Sequence, residues 1–314
     1  MEAPRHDTRG IVDPGTLLHR VRFRRHEPAE PLRRYVEWYW LIDWDLRTPY
    51  ASHVVPHPCV NLTFQWDEDD GPPYAEVTGV ALGLYTRKLT GRGRVCGAKF
   101  RPGGFRPYTS RTPVSRWTGR ALPAREVFPR VTDATAHAVT TPADDRDRVA
   151  ALDAFLLSLP CAPDPQADHA VDLVDRIRSD RTVRHVGDFA RAQGMSVRAL
   201  QRLFAAHVGV SPKWVVLRYR IHEALERAGT RTDIDWAALA AELGYADQAH
   251  LVRDFRATVG VPPTAYTAYT AYTAYTAETA YTAETAYTAE TAYTAETAET
   301  EPAGSGAPDR GVRS

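Results

Sequence analysis

Between Arg22 and Phe105 the apolar and aromatic residues come in short runs, Tyr35 to Trp44, Val54 to Trp66, Val77 to Leu84 and Arg94 to Phe100, punctuated by glycine and proline. Runs of this length and spacing predict strands. The segments DEDDGPP at Asp67 to Pro73 and FRPGGF at Phe100 to Phe105 are turn chemistry, because proline presets φ and glycine supplies positive φ. Val131 to Asp147 is small and polar and reads as loop or the start of a helix. Then Val149, Leu152, Phe155, Leu156 and Leu159 recur at helical spacing until the proline-rich PCAPDPQ stretch from Pro160 to Gln166 ends the pattern. From His169 to Gly260 the pattern is helical throughout, with short breaks at Gly194, Gly209, Gly229 and Gly244.

The helical half repeats itself. GMSVRALQRLFAAHVGVSP from Gly194 to Pro212 returns as GYADQAHLVRDFRATVGVPP from Gly244 to Pro263, so that Leu200 falls on Leu251, Arg202 on Arg253, Phe204 on Phe255, Gly209 on Gly260 and Pro212 on Pro263. Each copy predicts a helix, a tight turn through a left-handed glycine, and a second helix capped by Ser196 or Asp247. The small residues Ala190 and Ala240 let the two helices of a pair cross closely. In the first copy Leu200, Leu203 and Phe204 form the face to be buried, which turns Arg198, Gln201 and Arg202 outward. Arginine forks to guanine and glutamine to adenine in the major groove, so such a face on the second helix of a helix-turn-helix is suited to reading bases. In the second copy the outward residues are Gln248, Ala249, Val252 and Arg253, with His250 nearby; Ala249 and Val252 suit thymine methyl groups. Between the copies, Ser211 to Ala228 reads as one helix of about 25 Å, with a capping serine and Trp214, Leu217, Ile221 and Leu225 spaced for burial. Two reading heads on such a spacer suit successive major grooves on one side of a duplex.

These strings together, from Val171 to Tyr266, resemble the two-motif DNA-binding domain of the AraC/XylS family of bacterial transcription regulators. The resemblance implies that Arg198, Gln201 and Arg202 lie on the first recognition helix and Gln248, His250 and Arg253 on the second; with Ser196 and Asp247 at the helix starts, these are the expected DNA-binding residues. It implies double-stranded DNA as partner, together with RNA polymerase, a small-molecule effector and a second copy of the chain. The family often has an arginine after the final Pro-x-x-Tyr, where Thr267 stands here, so an altered last helix is expected. PLRRYVEWYW, VVPHPCVNLTF, VTGV and VCGAKFRPGGF are similar to a β-rich N-terminal domain found on some of these regulators, which implies a ligand sensor or an oligomerisation module.

Composition changes this picture little. The chain of 314 residues is 43% hydrophobic and 25% charged with a formal net charge of +0, ordinary for a globular protein of about two domains. Val171 to Gly260 carries 14 Arg and Lys against 11 Asp and Glu, so phosphate attraction is modest. From Thr264 the chain becomes a TAY and TAE triplet array whose period fits neither helix nor strand, and the tail is expected to be disordered. No apolar run is long enough for a spanning helix or a signal peptide, which predicts a cytoplasmic, nucleoid-associated protein without a membrane partner. Cys59, Cys96 and Cys161 are too scattered for a disulfide or zinc framework and read as small apolar residues. His53 and His57 lie four apart but flank a strand-like VVP, which argues against a metal pair; Cys59 beside His57 is weighed as an activated thiol and set below a buried one. No cofactor and no enzymatic activity are expected; the competing class is an enzyme or a metal- or thiol-dependent sensor. Tyr35, Trp38, Tyr39, Trp40 and Trp44 either line an aromatic effector pocket or form core, and Lys99, Arg101 and Arg106 around the FRPGG turn read by default as an exposed basic turn. The expected organisation is an α+β multidomain chain: a flexible start at 1–18, a β-rich sensor at 19–130 with a barrel among the forms open to it, a linker with one helix at 131–168, the all-α double helix-turn-helix domain at 169–266, and the tail at 267–314.

Overall fold

Alternation along the strands divides the first half of the molecule into an inner and an outer face. In the computed structural model, which describes residues 10–69, 71–230 and 233–268, the chain enters through α1 (Pro14–Arg20) and builds one antiparallel sheet. Its strands are β1 (Val21–His26), β2 (Val36–Val54), β3 (Asn61–Asp67), β4 (Tyr74–Thr78), β5 (Tyr85–Phe100) and β6 (Ala121–Pro123), ordered β1-β2-β5-β3-β4-β6. β1 and β6 are edges, so the sheet is open and not a closed barrel. β2 and β5 pair along most of their length, with register shifts between Val36 and Trp38 and between Leu46 and Tyr50, irregularities that let long strands bend. The segment Val54 to Trp66, expected as one strand, is strand at Val54, where β2 ends, and again from Asn61, because the prolines at 56 and 58 interrupt the pairing.

On the outer face Tyr39, Leu41, Leu62, Phe64, Cys96, Ala98 and Phe100 form the main core. Two helices cover it, α2 (Asp133–Thr140) and α3 (Asp145–Ser158), through Ala136, Val139, Leu152, Phe155 and Leu156. Of the two readings of Val131 to Asp147, loop or helix start, the segment is mostly helix, opened by a reciprocal Thr132–Thr135 capping box. Its buried apolar face is only Ala136 and Val139, and packing on the sheet supplies what propensity does not. Arg148, 2% exposed, donates to both oxygens of Asp43 at 2.9 and 3.0 Å and so fastens α3 to β2.

The inner face carries the alternate residues, Phe23 and Arg25 on β1, Trp38, Trp40, Ile42 and Trp44 on β2, and Asn61, Thr63 and Gln65 on β3. Gly97 and Gly93 of β5 lie opposite Trp40 and Trp44. A Cβ at either glycine would fall 2.2 Å from the facing indole, so the two rings lie flat on bare backbone.

The helical half consists of α4 (Pro165–Ser179), α5 (Val186–Ala192), α6 (Val197–His207), α7 (Pro212–Thr230), α8 (Trp236–Glu242) and α9 (Gln248–Val259). One cluster gathers α4, α5, α6 and the start of α7; a second gathers α8, α9 and the rest of α7. Residues 263–268 continue as helix, with Tyr266 buried and its ring edge-on to Phe255 at 5.8 Å. The repeat tail from residue 269 lies outside the described residues.

Candidate nucleic-acid interface

Both helix pairs are closed by the same local device. Gly194 and Gly244 take φ of 66° and 74°, a conformation open to glycine at little cost. After them Met195 N–H donates to the Ala190 carbonyl and Tyr245 N–H to the Ala240 carbonyl, both at 2.9 Å, while each glycine N–H donates one turn inward. This is a Schellman closure in duplicate. The next helices are capped as their sequences predict: Ser196 Oγ accepts from Ala199 N–H at 3.1 Å and an Asp247 oxygen from His250 N–H at 2.7 Å.

On α6 the buried face is Leu200, Leu203, Phe204 and His207, and Arg198, Gln201 and Arg202 are all exposed on the other side. On α9 the buried face is Leu251, Phe255 and Val259, leaving Gln248, Ala249 and Arg253 exposed, while Val252, expected to point outward, is half-buried. His250 is half-buried; its ring stands edge-on to Tyr245 at 5.2 Å, with Nε2 3.8 Å from Asp254. Of the second set, His250 is thus the member held by its own neighbours.

The connecting helix does more than space the two units. α7 spans 19 residues, about 28 Å. Ser211 Oγ accepts from Trp214 N–H at 3.2 Å, as a capping serine should. Arg220 donates to the Arg184 carbonyl at 2.8 Å and lies over the Tyr245 ring, while Arg227 bridges Glu223 and Glu242. Arg220 thus joins the first unit to the second, and Arg227 joins α7 to α8. Trp214 and Leu217, expected to be buried, are only half-buried, whereas Ile221 and Leu225 are buried.

Sequence reasoning missed what covers the rest of α7. Arg218, 5% exposed, donates to the Leu82 carbonyl at 3.0 Å and lies over Trp214. Burial lowers its pKa to about 10, so it stays charged at neutral pH. His222 stacks on His57 with ring centroids 4.1 Å apart and its Nε2 sits 3.3 Å from the Pro56 carbonyl. His53 instead pairs with Thr86 across the sheet, so the two histidines do not converge. Among the described residues no three His, Cys, Asp or Glu side chains gather as metal ligands. Cys59 is buried, and burial pushes its thiol up to about 11, the reverse of an activated cysteine.

The expected exposed basic turn is likewise corrected. Lys99 is buried and pairs with Glu37 at 3.1 Å, and the other oxygen of Glu37 accepts from Arg178 of α4 at 3.0 Å. Arg106 donates to Asp164, the α4 cap, at 2.9 Å and meets Nε2 of His207 of α6 at 2.9 Å. His207 Nδ1 lies 3.1 Å from the Leu203 carbonyl and its Nε2 3.2 Å from Asp164 Oδ2, so Arg106, Asp164 and His207 form one polar cluster that joins this turn to α4 and α6. Thr118 Oγ1 donates to the Gly209 carbonyl at 2.7 Å. All described residues lie in one compact unit.

Comparison with known proteins gives two family matches: residues 24–123 to a domain of unknown function (DUF6597), and residues 189–269 to a helix-turn-helix domain. No curated protein matches the chain. Among solved structures, a structure of ToxT from Vibrio cholerae is 11% identical, covers 73% of this chain and 97% of its own, and has a TM-score of 0.37. Unsaturated fatty acid-bound wild-type ToxT from Vibrio cholerae strain SCE256 is 12% identical, covers 73% and 94%, and has a TM-score of 0.38. No helix among the described residues is long and apolar enough to cross a membrane. With the duplicated capped pairs and the match over 189–269, the helical half of this chain is a helix-turn-helix DNA-binding domain of the AraC type, joined to a β-rich domain of the family matched at 24–123.

Proposed function

We propose that the chain is a sequence-specific transcription regulator that acts in the cytoplasm, on the nucleoid, and catalyses no reaction. Its two helix-turn-helix units read adjacent major-groove segments of double-stranded DNA, with Arg198, Gln201 and Arg202, capped by Ser196, on one helix and Gln248, His250 and Arg253, capped by Asp247, on the other. The β-rich domain reports a small molecule to them, and RNA polymerase and a second copy of the chain are the further partners. One observation carries the reading: the same capped helix occurs twice, each time with its polar side exposed and its apolar side buried. An ordinary solvated face has no reason to repeat with arginine in register at 202 and 253.

The test is a binding selection of the full chain against randomised duplexes at two salt concentrations. Enrichment of a motif with two half-sites about one helical turn apart is expected. Recovery of unselected DNA alone, with binding lost at the higher salt, would overturn the sequence-specific reading.

A further inference from the structure

The cores of the two helix-turn-helix units are separate. The cluster around α4, α5, α6 and the start of α7 shares no residue with the cluster around α8, α9 and the rest of α7. The length of α7 therefore sets the distance between the units. Apolar burial is non-directional, whereas a hydrogen bond holds over a narrow range of angle. The orientation of one unit relative to the other falls most directly to the polar contacts between them.

Those contacts converge on the turn of the second unit. The Arg220 guanidinium of α7, half-buried, donates through Nη2 to the Arg184 carbonyl just before α5, at 2.8 Å, while its Nη1 lies 3.5 Å from the Gly244 carbonyl. Its central carbon lies 5.6 Å from the centre of the Tyr245 ring. The Arg184 side chain reaches the opposite way, from the first unit to the second. Its Nη2 donates to the Glu242 carbonyl at the end of α8, at 3.4 Å, and its stem crosses Gly244, where a Cβ would fall 2.9 Å from Cδ. Cations at the free carbonyls of a helix end are favourably placed. Tyr245 in turn stands against His250 in the first turn of α9. Residues at the N-terminal end of a recognition helix are the ones that meet bases, so the two arginines clamp the reading end of the second unit to the first.

Each base pair added between two half-sites moves one of them by about 3.4 Å and turns it by roughly 34° around the duplex. A second unit free to swivel on α7 would follow such shifts, and a clamped one would not. Resting on the reading of the chain as a regulator with two groove-reading units, we propose that Arg220 and Arg184 are positioning residues that fix the spacing the chain accepts between its two half-sites. They act through Gly244 and Tyr245 and not by contact with a base.

The experiment uses the full chain and duplexes carrying the two half-sites enriched by the selection, with the spacer between them shortened or lengthened by one or two base pairs, in competition binding. The unaltered protein is expected to lose at least about tenfold in affinity for a shift of one base pair, the worth of one charge-assisted hydrogen bond. In Arg220→Met and Arg184→Ala that loss should shrink to roughly threefold or less, with base preference inside each half-site unchanged. Arg220→Lys keeps the charge without the fork and should resemble Arg220→Met. Should Arg220→Met fail to fold, Arg184→Ala, whose side chain is exposed, carries the test. A uniform loss of affinity at every spacing, as from a merely structural role, would overturn the proposal. So would full rescue by Arg220→Lys, as from a phosphate contact, or an unchanged spacing profile in either folded variant. Unaltered protein that selects two half-sites without preferring a spacing condemns the clamp alone, whereas failure to select any two-part motif condemns the regulator reading with it.

Discussion

Arg198 and Arg202 occupy one exposed face of α6, while the register of the repeat places Ala249 and Arg253 at the matching positions of α9. On the proposed reading, the first unit therefore offers more hydrogen bonds to bases than the second. Arg198→Ala is expected to cost about 1–3 kcal/mol on the selected site and to relax the preference at one base pair; competition binding against single-base variants measures both. An equal loss on random DNA would mark Arg198 as a phosphate contact. Cys59 makes a different prediction. With its thiol pushed up to about 11 by burial, it should resist alkylation at pH 8 in the folded protein and react once the protein is unfolded, as peptide mass spectrometry would show. Rapid labelling of native protein at Cys59 would restore the reactive-thiol sensor as a competitor.

The two turns compare a residue type in two settings. A Cβ at Gly194 would meet nothing within 4 Å, whereas one at Gly244 would lie 2.9 Å from Arg184 Cδ. Gly194→Ala therefore carries the left-handed penalty alone, about 1–2 kcal/mol, and Gly244→Ala carries that penalty and disturbs Arg184, whose carbonyl holds Arg220. Urea unfolding should rank Gly244→Ala as the more destabilising; the reverse order would show that Arg184 moves freely. These turns were legible because capping chemistry is local: a glycine, a serine or aspartate, and a period of 3.6 lie within a dozen residues. The barrel-or-sheet question was not, since closure depends on which strands meet at the edges. β1 was missed because VRFRRH carries too many cations to look like a strand; its arginines find partners on α3, where Arg24 meets Asp145 at 2.8 Å. The aromatic cluster was legible as a set but not as two sets. Tyr35 and Tyr39 go to the core, and Trp38, Trp40 and Trp44 to the inner face of the sheet, a division that appears only when the register with β5 is known.

At the scale of the whole molecule, ion pairs tie the helices to the sheet, and they give stability a pH dependence with a definite sign. The hydrogen bond from Arg24 holds the Asp145 carboxyl below its ordinary value, and the one from Arg34 does the same for Asp168 of α4. A carboxyl whose pKa is lower folded than unfolded adds stability above the unfolded value, near 4, and loses it as pH falls toward the folded value. The melting temperature should therefore fall through the range below about pH 4, and the fall should shrink in Arg24→Gln; an unchanged acid profile in that variant would show that Asp145 contributes nothing. α7 sits at the centre of this assembly. Val55, from the loop before β3, is part of the core around α8 and α9, and Val80, after β4, is part of the core around α6. The segment from Val55 to Leu82 supplies hydrophobic side chains and backbone carbonyls that the DNA-binding half lacks. A genetic screen for lost operator binding should consequently return alleles in that segment, and a chimera that joins the helical half to a foreign sensor will need those residues transplanted with it.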